Sequence, residues 1–143
     1  MLLIGFTIIL ALIAFIILIL LMFPIVKVKG DSMYPTLKEG RVLISTRLFN
    51  KNNCKVNKLY VIHLKDDESG SPYYIIKRLK GITKRGDKVL YDFRGDNFLV
   101  SYDSRQHGLF DSSEVEAKVL GDFKNKTVKV TRKEINKWVL IQK

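Results

Sequence analysis

A small, mainly antiparallel β domain carried behind one N-terminal transmembrane helix is the architecture this sequence predicts, and three observations predict it. Leu2 to Phe23 hold no charged residue and hardly a polar one, only Thr7. From Ile25 onward the chain breaks into short apolar runs, rich in β-branched and aromatic residues, closed by turn formers and too short for helices. The length of 143 residues leaves about 120 beyond the apolar start, enough for one modest core. The expected division is therefore an anchor over residues 1–24 and a single β-rich domain over 25–143.

At 1.5 Å per residue the apolar start makes roughly 33 Å of helix, against a hydrocarbon core of about 30 Å. A cleavable leader would have a basic start and small residues before its cut. Here no Lys or Arg precedes the span, and Met22-Phe23-Pro24-Ile25 offers no such site. The span reads as a permanent anchor ended by Pro24. Lys27 and Lys29 follow it, and the positive-inside rule would place the domain in the cytoplasm.

Strands are expected at Val42–Ile44, Leu59–Ile62, Tyr73–Ile76, Val89–Tyr91, Phe98–Val100, Val115–Leu120 and Val128–Val130. Between them fall turns at Lys38–Gly40, Asn50–Asn53, Asp66–Pro72, Arg85–Asp87 and Asn125, with Asp66–Pro72 the most mobile hairpin tip. Thr131-Arg132-Lys133-Glu134 fits a capping box opening a helix that carries Ile135, Trp138 and Val139 on one face; Trp138–Ile141 fits a last strand equally well.

The formal charge of +11 calls for an acidic surface nearby. For a chain with a membrane segment, anionic lipid headgroups are the simplest such partner. Nucleic acid is disfavoured, because basic strands interleaved with exposed aromatics are missing. Cys54 stands alone, which excludes an internal disulfide, and no cluster has metal-ligand spacing. No metal or cofactor is implied.

Between anchor and first strand lies the polar, turn-prone stretch Gly30-Asp31-Ser32-Met33-Tyr34-Pro35-Thr36-Leu37. A serine hydroxyl is a weak nucleophile by itself, so chemistry at Ser32 needs a partner to take its proton and fixed donors for the oxyanion. Gly30-x-Ser32-Met33-x-Pro35-Thr36-Leu37 resembles the nucleophile motif of the type I signal peptidases. Lys77-Arg78-x-x-Gly81 with Gly86-Asp87-x-Val89 is similar to that family's general-base motif. Gly95-Asp96-Asn97-x-x-x-Ser101-x-Asp103-Ser104-Arg105-x-x-Gly108 is similar to its last one. One Gly-x-Ser-Met would say little; three motifs in order say much more.

The resemblance implies a Ser/Lys dyad in a small β fold of the kind shared with the self-cleaving repressor proteases, whose DNA-binding domain has no counterpart here. Lys77 is then the base, and its setting suits that role. A solvated lysine has a pKa near 10.4, and a fall large enough to serve at neutral pH costs roughly 3 kcal/mol of disfavoured charge. Strand alternation points Ile75 and Leu79 the same way as Lys77, which makes burial the expectation. By resemblance Ser101 hydrogen-bonds and orients Lys77, Met33 lines the substrate cleft, and Arg78 is structural. Asp103 and Arg105, at alternate positions, can pair and hold the segment that carries Ser101. Asp96 and Asn97 read as turn formers, Pro35 and Thr36 as residues that stiffen the nucleophile loop, with Pro35 also expected beside Met33 among the substrate-binding residues, and His63 and His107 as packing or surface residues.

The sequence also departs from the family pattern. Gly30 stands where some members have a hydroxyl that helps form the oxyanion hole, leaving the Ser32 backbone N–H. Ile82-Thr83-Lys84-Arg85 makes a longer connection than usual, without the family's proline. Phe98-Leu99-Val100 replaces a polar trio before Ser101. The family further implies an extracytoplasmic catalytic domain, against the charge rule, and exported preproteins as substrates, bound as an added β-strand, with the secretion machinery a candidate partner. Two alternatives remain: a maturation peptidase for a single client, and a non-catalytic basic β-module tethered to the bilayer, in which Ser32 is only a turn residue.

Overall fold

The computed structural model describes residues 1–65 and 69–121. Helix α1 runs from Leu2 to Met22. Its stretch Leu3–Met22 is long and apolar enough to cross a membrane, and no part of it is covered by the rest of the protein. It stops one residue short of Pro24: Phe23 leaves the helical region, with φ −123° and ψ 68°, as the residue before a proline is driven to do.

The end of α1 is tied to the domain. Its last carbonyls have no intrahelical donors, and Arg47 supplies them: its backbone N–H donates to the Met22 carbonyl at 3.0 Å and its guanidinium to the Leu21 carbonyl at 2.8 Å. A cation suits this negative end of the helix dipole. Arg47 is itself held by Glu116 at 2.8 Å, and both the N–H and the hydroxyl of Ser45 donate to the Pro24 carbonyl.

Seven strands follow among the described residues: β1 (Ile25–Lys27), β2 (Val42–Thr46), β3 (Leu59–Lys65), β4 (Pro72–Arg85), β5 (Lys88–Arg94), β6 (Phe110–Asp111) and β7 (Val115–Val119). They form one antiparallel sheet in the order β1-β2-β7-β3-β4-β5-β6. The fold is thus mainly antiparallel β with one apolar N-terminal helix, as expected. Alternation gives each face its own core. Tyr60, Ile62, Leu79, Phe93, Phe110 and Val115 fill one; Val28, Met33, Leu37, Leu43, Val61 and Ala117 fill the other. Lys27, which the charge rule counted as a cytoplasmic flank, belongs to β1 of the folded domain.

The four residues Ile82–Arg85 extend β4, and Gly86-Asp87 closes the β4–β5 hairpin as a two-residue loop in which Gly86 has φ 61°. A bulge between Leu79 and Gly81 shifts the register against β5 just past Lys77 and Arg78. The turns at Lys38–Gly40 and Asn50–Asn53 stand where expected. Lys65 pairs with Pro72, so the β3–β4 hairpin turns within the segment expected to turn, but residues 66–68 lie outside the described residues. So do Asn125, Val128–Val130 and the segment 131–143.

One expected strand is a turn. Phe98, Leu99 and Val100 are exposed by 57, 42 and 39%. The Asn97 carbonyl accepts the N–H groups of Val100 and Ser101, and the Asn97 side chain accepts that of Leu99. An asparagine that captures the next backbone donors outweighs the β preference of three apolar residues without a neighbouring strand. Conversely, β1, β6 and the short helix α2 (Ser104–His107) were not expected, being too short to carry a periodic signal.

Candidate active site

Ser32 opens a run of turns from Asp31 to Leu37, in which the Tyr34 N–H donates to the Asp31 carbonyl and the Leu37 N–H to that of Met33. Met33 and Leu37 sink into the core while Ser32 stays partly exposed. Apolar residues one turn apart thus fix the loop from below and leave the hydroxyl accessible. Neither the hydroxyl nor the backbone N–H of Ser32 has a partner among the described residues. Gly30 has φ 75°, a conformation costly to a side chain, and its N–H donates to Glu39 at 3.2 Å. Pro35 is half-buried in the same run.

Lys77 lies near the middle of β4, opposite Tyr60 of β3, and is only 3% exposed. Its Nζ donates to Ser101 Oγ at 2.9 Å, and Ser101 Oγ donates onward to Asp103 Oδ2 at 2.7 Å. Burial is the chief reason its pKa falls from 10.5 to about 8; the Asp103 charge opposes the fall and Arg105 assists it. That fall disfavours the ammonium by about 3 kcal/mol. Asp103 is fully buried. Burial alone would raise its pKa, but Arg105, the Gly95 N–H and the Ser101 hydroxyl outweigh that and hold the carboxyl well below the usual range. Arg105 binds it through two nitrogens at 2.8 and 2.7 Å. Asp103 also caps α2, accepting the Arg105 N–H, while Gln106 answers its own N–H.

Ser32 and Ser101 meet over Gly95. A Cβ placed on Gly95 would lie 2.5 Å from the Ser32 carbonyl oxygen and collide with Ser101 Oγ. The Asn97 N–H donates to that same carbonyl at 3.0 Å, and its side-chain amide to the Asp31 carbonyl at 3.1 Å. Next to Asn97, Asp96 takes Arg78 in a two-pronged pair at 2.8 and 2.7 Å, with both side chains buried. Arg78 also donates to the Asn57 carbonyl. Asp96 and Asn97 therefore do more than form a turn, since they lock the loop that carries Ser32 to the strand beside Lys77. Sequence reasoning missed this role and that of Gly95, although all three open the third motif. Ser32 and Lys77 are not directly bonded in this structure; they are linked through Ser101 and Gly95.

A groove beside Ser32 is bordered by Val26–Lys29 on one side and Tyr74–Ile76 on the other, with Met33 and Val61 among its lining. Met33 is thus both core and groove wall, whereas Pro35 does not border it. β1 pairs with β2 alone, and β5 pairs with β4 only from Arg78 onward. Among the described residues, both walls therefore present unpaired strand edges. His63 packs on Tyr74 across the β3–β4 pair, with ring centroids 5.2 Å apart, and His107 stacks on Phe110 at 4.4 Å. Neither is bonded to Ser32. Among the described residues, no three His, Cys, Asp or Glu side chains converge to hold a metal ion.

Cys54 is buried, and burial raises its pKa. It sits among Tyr60 and Tyr91, whose hydroxyls, with pKa values pushed up to about 12 chiefly by burial, pin the loop at Lys51–Lys55.

Comparison with known families gives a match to the signal peptidase family, peptidase S26, over residues 1–94. The match takes in Ser32, Lys77 and the groove, and stops short of Gly95, so Ser101, Asp103 and Arg105 lie beyond it. No individual curated protein matches the chain. With about two thirds of its length aligned to the family and a mainly antiparallel β domain behind an apolar helix, the chain belongs to the S26 signal peptidases.

Proposed function

We propose that the chain is a membrane-anchored serine endopeptidase that removes leader segments from exported preproteins through a Ser32/Lys77 dyad. The observation that carries this reading is the buried Lys77 Nζ, depressed in pKa and bonded to Ser101 beside the Ser32 backbone. The precursor enters the groove as an extended strand and pairs with the open edges of Val26–Lys29 and Tyr74–Ile76. Ser32 Oγ attacks the scissile carbonyl while neutral Lys77 takes its proton; the pair closes to hydrogen-bond distance in the substrate complex. The Ser32 N–H faces the oxyanion. Lys77 returns the proton to the leaving amine, and water releases the acyl group by the same steps in reverse. Ser101 holds the base in place, and Asp103 holds Ser101. Incubating the full-length protein in detergent with mixed preproteins and sequencing the new N-termini tests this; an absence of new termini with every preprotein would sink it.

The pH dependence has a definite sign. Neutral Lys77 is the active form, so kcat/KM should rise with pH and reach half its plateau near the lowered pKa of about 8. In Arg105→Gln the Asp103 charge loses its counterion, the ammonium of Lys77 is favoured, and the rising limb should move to higher pH. A limb that stays in place would show that Arg105 does not tune the base.

α1 is assigned as the anchor, with residues 25–143 extracytoplasmic. Protease added to cells stripped of their wall or outer membrane should then digest the domain; protection until lysis would reverse the assignment.

A further inference from the structure

Phe98, Leu99 and Val100 stand exposed in succession on the turn that Asn97 fastens to the loop carrying Ser32. Three apolar side chains left in water beside a reacting centre call for a partner. We infer that this turn is a leaving-side subsite, which holds an apolar or aromatic residue of the precursor at the second or third position after the scissile bond. The inference rests on the peptidase reading above.

The direction of proton transfer decides which part of the substrate passes the turn. To return its proton, Lys77 must come within hydrogen-bond reach of the leaving nitrogen. Its Nζ lies 2.9 Å from Ser101 Oγ, and Ser101 follows Val100 directly. The leaving chain therefore departs along the face that carries the turn. The acyl part lies on the other flank, in the groove walled by Val26–Lys29, Val61 and Tyr74–Ile76, which no residue from 97 to 101 borders. The Asn97 N–H meets the Ser32 carbonyl at 3.0 Å, and Leu99 is two residues farther on. At about 3.3 Å per extended residue, two or three substrate residues beyond the bond match that span.

The turn offers side chains rather than a strand edge. The N–H groups of Leu99, Val100 and Ser101 are all turned onto Asn97, whose own side-chain amide is spent on the Asp31 carbonyl. The Ser101 hydroxyl is bonded to Lys77 and Asp103. With these groups committed, apolar surface is what meets the peptide. An apolar side chain gains burial there, whereas a carboxylate would give up water without a donor in exchange.

The test uses the full-length protein in detergent and peptides spanning the cut site of a precursor that the wild type cleaves. The peptides differ only in carrying Phe, Ser or Asp at the second and third positions after the bond. The wild type should cut the Phe peptide with kcat/KM about tenfold above the Asp peptide. Single-turnover kinetics should place the whole difference in acylation, because the leaving chain has gone before water attacks. Leu99→Lys should bring the ratio to one or below, and the same change at exposed Leu48 should not move it. Photoreactive benzoylphenylalanine in place of Leu99, in an uncleaving Ser32→Ala background, should cross-link to the second or third residue after the bond. A wild-type ratio near one, a ratio unmoved by Leu99→Lys, or adducts confined to residues before the bond would overturn the subsite. A Leu99→Lys defect seen only in lipid vesicles would make the turn a membrane contact instead, and equal losses on every peptide with a lower Tm would make it structural; either result overturns the subsite. If the wild type cuts no precursor at all, the peptidase reading falls and takes the subsite with it.

Discussion

Ser32→Ala and Lys77→Ala should each abolish cleavage, by a factor on the order of 10⁴ or more, and the double variant should be scarcely worse than either. Non-additivity is the informative part. A nucleophile without its base and a base without its nucleophile leave the same residual site, the oxyanion donor and the groove, so the second loss removes nothing further. Lys77→Arg sharpens the test. It keeps a cation on β4 but cannot supply a neutral base, because a guanidinium does not deprotonate in a protein. It should be as inactive as alanine and show no alkaline limb. Ser101→Ala leaves nucleophile and base in place and removes one orienting bond, so a loss of roughly 10- to 1000-fold is expected. Losses that multiply across Ser32 and Lys77, or substantial activity in Lys77→Arg, would exclude the dyad.

How much of this could be read from the sequence depended on whether the cause was local. The apolar helix and the longer strands declare themselves by period and composition, and the burial of Lys77 follows from its place between Ile75 and Leu79 in an alternating strand. The Phe98–Val100 turn does not. Its apolar residues look like strand, and only the Asn97 side chain, bonding two residues ahead, tips the balance. The insertion of β7 between β2 and β3 joins segments far apart in the chain and has no local signature. Nor does the Arg78–Asp96 pair, since nothing in either neighbourhood says that two charges are buried together. Ser101 was reached by resemblance, but its link to Ser32 runs through the missing side chain of Gly95, which composition cannot show.

Gly95→Ala should therefore be the most damaging single methyl in the domain. Gly95 is not in the left-handed region that favours glycine, so the backbone would accept alanine and the objection is spatial. The added Cβ falls 2.5 Å from the Ser32 carbonyl oxygen and 2.5 Å from Ser101 Cβ, well inside contact distance. The carbonyl belongs to the backbone and cannot swing aside. Either the nucleophile's loop lifts off Asn97, or Ser101 turns away from Lys77 and Asp103. Both outcomes separate Ser32 from its base, and a displacement near 1 Å in such a site costs about 10²-fold in rate. Overpacking should also lower stability by about 1–3 kcal/mol. Gly81→Ala is the control, since its Cβ would meet the Asp92 side chain at 3.4 Å, an ordinary contact on the strand that carries Lys77. We expect Gly95→Ala to melt cooperatively at a lower temperature with kcat/KM reduced at least 100-fold, while Gly81→Ala stays within a few-fold of wild type. Near-normal cleavage by Gly95→Ala would mean that Ser32 and Ser101 do not need to meet over this glycine, and the proposed arrangement of the site would fall.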